Sequence, residues 1–226
     1  MFFDFNYVLM VMLPTLIISG LAQWYLRSVY STWSNRANTR GLSGPEVARR
    51  IMQTAGLNVS LEVTPGELSD HYDPSSHTVR MSPGVAQTNS VASMAIVAHE
   101  LGHAQQHQEN SPLIAARSFL LPAVQVSPTL SYGLIIGGLL LNLAGLAWLG
   151  IAVFAISVFF MLLTLPVEID ASMRGLRLLK ETGIITDTTD QSGARSVLTA
   201  AALTYVAAAV TSIFTLLYYI SLVNRR

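Results

Sequence analysis

The chain has 226 residues, of which 51% are hydrophobic and 12% charged, with 13 basic and 13 acidic side chains and a mean hydropathy of +0.47. An ordinary soluble domain carries about 25% charged residues, so this composition argues against a soluble globular protein and largely excludes a disordered one. The balanced charge gives no indication of nucleic-acid binding, and the absence of cysteine excludes disulfides, cysteine-ligated zinc and thiol catalysis.

Four uncharged stretches predict membrane-spanning helices, because a bilayer core of about 30 Å needs about 20 apolar residues in a helix. The first is residues 7–26, which we interpret as a retained anchor rather than a signal peptide, since the N-terminus contains Asp4 but no Lys or Arg. The uncharged region 119–165 is long enough for two spans, at 119–141 and 146–165, with a turn at 142–145. A fourth span covers residues 197–223. The sequence therefore predicts a mainly α-helical membrane protein with about four transmembrane helices.

The distribution of Lys and Arg predicts the orientation of these spans. Segment 27–118 contains seven arginines and segment 166–196 contains four basic residues, whereas the other side holds only Arg225 and Arg226. We therefore expect both polar segments in the cytoplasm and both termini outside, in a multi-pass protein of the plasma or inner membrane.

The first polar segment has the signals of a small α+β module. Ser43 and Glu46 form a predicted capping box before a helix that should run to Ala55 and end at Gly56. Residues 58–63 and 78–82 read as short strands, separated by a turn-rich loop that contains residues 70–74. From about Ser90 a helix of small apolar residues should continue to a polar end at residues 105–108.

This last helix contains the pattern HExxH at His99, Glu100 and His103. The i, i+4 spacing places both imidazoles on one helix face, close enough to share a zinc ion. Glu100 lies about 100° around the helix, where it can act as the general base on water activated by the metal. The alternative without a catalytic role is a pair of exposed histidines in a chance match to the pattern. The small apolar residues before the motif favour burial, and Gly102 would let another element approach closely.

The third ligand must come from elsewhere in the chain. The metzincin spacing fails, because it would require a Gly and a His where Gln106 and Glu109 stand. His107 lies about 12 Å from His99 along a straight helix, too far to share the ion, so we interpret it as a rim histidine. Glu168, which we expect at the start of a helix after the third span, is the preferred ligand. Its alternative role is an interfacial charge beside an arginine.

Polar residues around Glu168 are candidates for supporting roles at the site. Ser172, one turn later, is a candidate hydrogen-bond partner on the same face. Asp170 should point away and pair with an arginine. Arg174 and Arg177 could stabilise an oxyanion, although structural ion pairing is the preferred role for each.

Four segments together resemble the neutral zinc metallopeptidases, the YugP-like membrane proteins. They are residues 68–74 (LSDHYDP), 97–106 (VAHELGHAQQ), 166–172 (PVEIDAS) and 202–206 (ALTYV). The segment at Glu168 is also similar to the Glu-x-x-Ala-Asp of the gluzincin-type HtpX and CAAX-protease peptidases, with Ser172 where those have Asp. The resemblance implies a zincin-like peptidase with His99, His103 and Glu168 as zinc ligands and Glu100 as the base.

By analogy with other gluzincins, the strand 78–82 is a candidate edge that binds an extended peptide; the alternative is an ordinary hairpin with Arg80 on its solvent face. Loop 70–74 could border the substrate groove, with His71 either in the groove or bonded to nearby backbone. His71 and Tyr72 join Arg174 and Arg177 as candidates for oxyanion stabilisation.

Taken together, the sequence predicts a zinc-dependent, membrane-integral endopeptidase acting on membrane proteins or polypeptides at the cytoplasmic face. We expect an anchor (1–26), a catalytic module (27–118), two spans (119–165), a helical segment with the third ligand (166–196) and a last span (197–226). The zinc would lie at the boundary between membrane and cytoplasm. Two alternatives remain: a non-catalytic, zinc-stabilised adaptor or assembly factor, and a metal transporter.

Overall fold

The protein is mainly helical in a computed structural model that describes residues 5–224. Asp4, Arg225 and Arg226, which entered the predictions of anchor and orientation, lie outside the described residues. Three helical elements are short: α1 (Phe5–Tyr7), a π-helical segment (Val8–Met12) and α4 (Pro83–Gln87). The longer helices are α2 (Leu13–Ser34), α3 (Gly44–Ala55), α5 (Val91–Gln108), α6 (Pro112–Leu140), α7 (Ala144–Glu181) and α8 (Thr188–Asn224).

Four helical runs are long and apolar enough to cross a membrane: Val8–Ser34, Pro112–Leu140, Ala144–Glu181 and Thr188–Asn224. The four candidate spans predicted from the sequence are confirmed, but each helix extends into a neighbouring polar segment. The expectation that a separate helix begins near Glu168 is wrong, because α7 continues through Pro166. Proline removes a single helical hydrogen bond, a loss that packed and membrane-embedded helices tolerate.

The described chain divides into two compact units. The first contains the described residues up to Gln23, together with Ala115–Pro166 and the residues from Leu203 onward. Its small core surrounds Ile135 and Ala147, and the hydroxyls of Ser127 and Ser157 lie 2.6 Å apart between α6 and α7. Many large apolar side chains of this unit point outward, for example Phe119, which is 84% exposed. Helices with such an apolar exterior need lipid around them.

The second unit consists of Trp24–Ile114 and Val167–Ala202, and it contains the sheet. Strands β1 (Ser60–Val63), β2 (His71–Asp73) and β3 (Thr78–Met81) are arranged in the order β1-β3-β2. β1 is parallel to β3, and β2 is antiparallel to it.

This order overturns the prediction that residues 78–82 form an edge strand. β3 is hydrogen-bonded on both sides, so it has no free edge for a peptide, and the edges of the sheet are β1 and β2. The prediction of a turn-rich loop at residues 70–74 is also wrong in part, since β2 occupies His71–Asp73 and forms a hairpin with β3. The hairpin of the alternative is confirmed, but Arg80, expected on its solvent face, is half-buried and bonded to Asp73 and Glu62.

Two aspartates, Asp70 just before β2 and Asp73 at its end, hold this hairpin in place. Asp70 accepts hydrogen bonds from the backbone N–H and the hydroxyl of Ser82, the residue that caps α4. Burial raises the pKa of Asp70 although these hydrogen bonds oppose the rise. Asp73 accepts from the hydroxyls of Ser75 and Ser76 and from the guanidinium of Arg80, which together hold its pKa well below the ordinary value. Both carboxylates therefore have structural roles.

A single core joins α3, the sheet, α5 and the parts of α7 and α8 that belong to this unit. The predicted capping box of α3 is confirmed, since Glu46 accepts from the N–H and the hydroxyl of Ser43, and Gly56 ends the helix with φ of +64°. Val47 and Ile51 form its buried face. The central element is α5, which is buried over most of its length.

Candidate metal centre

The HExxH residues lie in the middle of α5, as the sequence predicts. Ser90 caps the helix by accepting a hydrogen bond from the backbone N–H of Ser93. The residues between the cap and His99 are small or apolar and mostly buried, so the helix is fixed by packing before the motif begins. The histidines are therefore part of a buried helix, and the alternative of two exposed histidines is wrong.

Two glycines let α7 approach this helix closely. A Cβ atom added at Gly102 would fall well inside contact distance of the carbonyl oxygen of Ala171, and one at Gly175 would lie 2.8 Å from the carbonyl oxygen of Ala98. Real Cβ atoms essentially never come so close to backbone. The expectation that Gly102 admits another element is thus confirmed, and the element is the helix that carries Glu168.

At this crossing, three potential ligands meet. The Nε2 atoms of His99 and His103 lie 3.3 and 3.5 Å from Oε2 of Glu168, and the three ligand atoms are all within 4.8 Å of one another. Two donors at about 2.0–2.2 Å from one tetrahedral zinc ion are about 3.3–3.5 Å apart. The donor set fits zinc in type and spacing.

The electrostatics of the cluster also fit a cation. Glu100 and Glu168 are both buried, being 7% and 3% exposed, and two buried carboxylates are costly without a compensating positive charge. Burial alone would lower the pKa of His103, but its hydrogen bond to Glu168 and the charges of Glu100 and Glu168 raise it. The site thus attracts a proton or a metal ion.

Gln106 determines which nitrogen of His103 faces the cluster and is available to bind a metal ion. Its amide NH₂ donates to the carbonyl oxygen of Val167 (2.9 Å) and to the carboxylate of Asp170 (2.7 Å). Both partners only accept, so the amide oxygen must face Nδ1 of His103, 3.0 Å away. Nδ1 therefore carries a proton, and Nε2 faces the cluster, where it either donates to Glu168 or, once deprotonated, can bind a metal ion. Such hydrogen bonds fix the ring orientation of metal-binding histidines.

His99 has a corresponding partner in Ser172. Ser172, the candidate hydrogen-bond partner on the face of Glu168, has its hydroxyl 3.2 Å from Nδ1 of His99. A hydroxyl oxygen can accept from Nδ1–H, so this contact is compatible with Nε2 of His99 as a ligand atom. Ser172 thus contacts one of the three residues of the cluster.

Glu100 is held by the sheet. Its Oε2 accepts a hydrogen bond of 2.8 Å from the backbone N–H of Tyr72 on β2. Tyr72 is the middle residue of an edge strand, opposite Val79 in the register. This contact joins the carboxylate to the sheet and restricts its rotamers.

The remaining candidates have other partners. Arg174 donates to Asp170 and Glu109, which confirms structural pairing for Arg174 and the arginine partner of Asp170. Nδ1 of His71 lies 2.8 Å from the carbonyl oxygen of Ser69, as the backbone-bonded alternative proposes. Arg177 is exposed.

His107 belongs to a group of aromatic rings that includes Tyr72 and His77. Its ring packs at 4.8 Å from that of His77 and at 5.9 Å from that of Tyr72, measured between centroids. The hydroxyl of Tyr72 lies 3.1 Å from Nδ1 of His77. His107 is not in the group formed by His99, His103 and Glu168, which is consistent with its interpretation as a rim histidine.

Sequence reasoning missed two parts of this site. Gln106 entered it only as a residue that breaks the metzincin spacing, although its i+3 position relative to His103 was an available signal. The Tyr72 N–H gave no signal at all, because every non-proline residue carries the same group and only the tertiary fold selects one of them.

Comparison with known proteins agrees with this chemistry. A family model described as "Putative neutral zinc metallopeptidase" matches residues 8–224. The chain is 40% identical over 204 residues to the "Putative membrane protease YugP" of Bacillus subtilis (strain 168), an alignment that covers 90% of each chain. No solved structure matches the chain.

Proposed function

Because the chain belongs to the neutral zinc metallopeptidase family, we propose that it is a membrane-integral zinc endopeptidase of the gluzincin type. Membership confirms the resemblance inferred from the four motifs, and with it the zinc cofactor that the resemblance implies. The peptidase activity, the zincin-like character of the second unit and the assignment of each site residue are our proposals.

The observation that carries the proposal is the meeting of His99, His103 and Glu168. Glu168 is 69 residues after His99 in sequence, yet its carboxylate lies within 3.5 Å of both Nε2 atoms. Such a group is hard to explain as ordinary ion pairing, because it brings two imidazoles rather than one to a buried carboxylate. We assign these three residues as the zinc ligands.

Zinc, when bound, supplies Lewis-acid activation of a water molecule and of a substrate carbonyl. Glu100 accepts the proton from the attacking water and delivers it to the leaving amine, a role that needs a carboxylate held in a fixed position. The Tyr72 N–H provides that position at one oxygen. Gln106 and Ser172 keep the two imidazoles oriented with Nε2 towards the site.

The membrane setting suggests the class of substrate. Since polar segments 27–118 and 166–196 contain eleven of the thirteen basic residues, we propose that they form the cytoplasmic part and carry the site, in a multi-pass protein of the plasma membrane. We propose membrane proteins, or polypeptides near the inner leaflet, as substrates. His99 and His103 lie on α5, which is outside the four candidate spans, and this disfavours a transporter.

The proposal is tested with full-length protein in detergent micelles, by measuring bound zinc and the cleavage of casein. We expect Glu100→Gln to retain stoichiometric zinc and to lose cleavage by a factor of about 10²–10⁴. Glu168→Ala should lose the zinc as well. Glu181→Ala is the matched control, because it removes an exposed carboxylate from the same helix.

Each result has a definite meaning. Full zinc content in Glu168→Ala protein refutes the third ligand, and wild-type cleavage by Glu100→Gln protein refutes the general base. If Glu100→Gln preserves the biological activity of the protein, the non-catalytic adaptor replaces the peptidase. Zinc flux across the membrane of proteoliposomes that contain the purified protein would support the alternative that it is a metal transporter.

A further inference from the structure

A groove of about 400 Å³ runs between α7 and α8 in the second unit. Its residues recur at helical spacing on one face of each helix, from Ile169 to Lys180 on α7 and from Gln191 to Ala202 on α8. The helices are joined by the short connection 182–187, and a short loop joins helices as antiparallel neighbours. The groove is open to the outside, so a ligand could enter without movement of the fold.

The two ends of the groove differ in chemistry. At the end near the connection, Lys180 and Arg195 line the wall. Farther from the connection the wall is apolar, with Ile169 and Met173 on α7 and Ala202 on α8. Ile169 and Met173 are 47% and 53% exposed, so the apolar wall is not closed by the chain itself.

The charge at the cationic end is uncompensated. Lys180 and Arg195 are both exposed, and neither forms a salt bridge within residues 5–224, while no acidic residue lines the groove. Arg195 is also the last charged residue of α8 before an uncharged stretch that reaches Asn224. An anionic group at Lys180 and Arg195 would complement this end.

We propose that the groove binds an anionic phospholipid. The phosphate lies at Lys180 and Arg195, and an acyl chain lies along the apolar wall at Ile169, Met173 and Ala202. An acidic peptide fits less well, because this wall would leave its backbone N–H and C=O groups without partners. The apolar end of the groove lies next to the uncharged stretches of both helices, and the cationic end lies away from them. The acyl chain of a bound lipid would therefore point towards the membrane and its phosphate away from it, as in a leaflet.

The lipid would also be close to the candidate metal centre. Ser172 lines the groove, and its hydroxyl is 3.2 Å from Nδ1 of His99. A lipid in the groove therefore contacts the residue that orients one of the candidate ligands. The lipid site does not depend on peptidase activity, so either proposal can fail alone.

The test is native mass spectrometry of the full-length protein, purified in non-ionic detergent and titrated with phosphatidylglycerol or phosphatidylcholine of the same acyl chains. The wild type should bind phosphatidylglycerol preferentially. One basic residue near a lipid surface changes affinity about fivefold, so the double variant Lys180→Gln/Arg195→Gln should bind it about 25-fold more weakly.

The matched control is Arg49→Gln/Arg50→Gln, which removes the same net charge from exposed positions of α3 and should bind as the wild type does. Ala202→Trp fills the apolar end and should weaken binding of both lipids. Bound zinc, measured in parallel, shows whether each variant is folded. If the double groove variant does not purify, each single variant should show about a fivefold loss.

Two results would overturn the proposal. One is equal binding of phosphatidylglycerol by the wild type and the groove variants. The other is displacement of the bound lipid by a soluble polyglutamate peptide, which would make the groove a site for acidic polypeptides.

Discussion

The amide of Gln106 connects two hydrogen-bond networks around the candidate ligands. On one side it sets the tautomer of His103, and on the other it contacts Asp170, which Arg174 holds in turn. Gln106 is fully buried, so its hydrogen bonds do not compete with water. A residue that touches no zinc thus determines which nitrogen a zinc ion would meet.

We predict that Gln106→Leu lowers zinc affinity by about 10–100-fold, the usual effect of removing a partner that orients a metal-binding histidine. Leucine has a similar volume but leaves Nδ1 of His103 without its acceptor. Affinity is measured by competition with a fluorescent zinc chelator. Gln108→Leu, at an exposed position of the same helix, is the control and should bind zinc normally. Unchanged affinity in Gln106→Leu protein would show that the network does not orient the ring.

How far the site could be predicted from the sequence differs between its residues. His99, Glu100 and His103 follow from the i, i+4 spacing on a helix, and Glu168 follows from the cost of a carboxylate next to an apolar stretch. The partners of Ser172 and Gln106 do not follow, because a hydroxyl or an amide can bond to many groups and the packing of α7 on α5 decides between them.

Among the elements, the crossing of α5 and α7 depends on the absence of two side chains. At Gly102 and Gly175 the backbones approach so closely that no Cβ fits. In each case the obstacle is the backbone of the other helix, which cannot move aside as a side chain would. Because Glu168 is carried by α7, the same contact sets the distance from its carboxylate to His99 and His103.

We predict that Gly102→Ala destabilises the second unit and weakens zinc binding together. Alanine is a better helix former than glycine by about 1 kcal/mol, so any loss of stability must come from the crossing. Overpacking of this kind costs about 1–3 kcal/mol, which thermal unfolding would detect. Gly133→Ala on α6 is the control, because no atom lies within 4 Å of its added Cβ, and it should not destabilise the protein. An equally stable, zinc-replete Gly102→Ala protein would contradict the role of the close approach.

The elements themselves were predicted unevenly, for a physical reason. Helices have local signals, such as the capping box of α3 and the uncharged stretches of α6, α7 and α8. Strand order has none: β1 pairs in parallel with β3, 18 residues away, while β2 comes between them in sequence. A short segment such as His71–Asp73 becomes a strand only because β3 offers it an edge.

For the whole molecule, the charge distribution carries the prediction of topology. The long stretches without charge include 7–26, 119–165 and 197–223, and the basic residues between them lie in the two polar segments. Residues 167–202 and the segment with α5 belong to one compact unit, so the two polar segments must be on the same side of a membrane. An even number of spans between them, namely α6 and α7, satisfies this requirement.

We therefore predict that the turn between α6 and α7 is outside the cell and that the start of α8 is in the cytoplasm. The protein has no cysteine, so single cysteines give an unambiguous readout. Leu141→Cys, at a position 66% exposed, should react with a membrane-impermeant maleimide in intact cells. Ser192→Cys, exposed at the beginning of α8, should react only after the membrane is opened. The reverse pattern would place the candidate metal centre outside and exclude cytoplasmic substrates. Labelling of both positions in intact cells would contradict an odd number of crossings between them, and with it the assignment of α7 as a span.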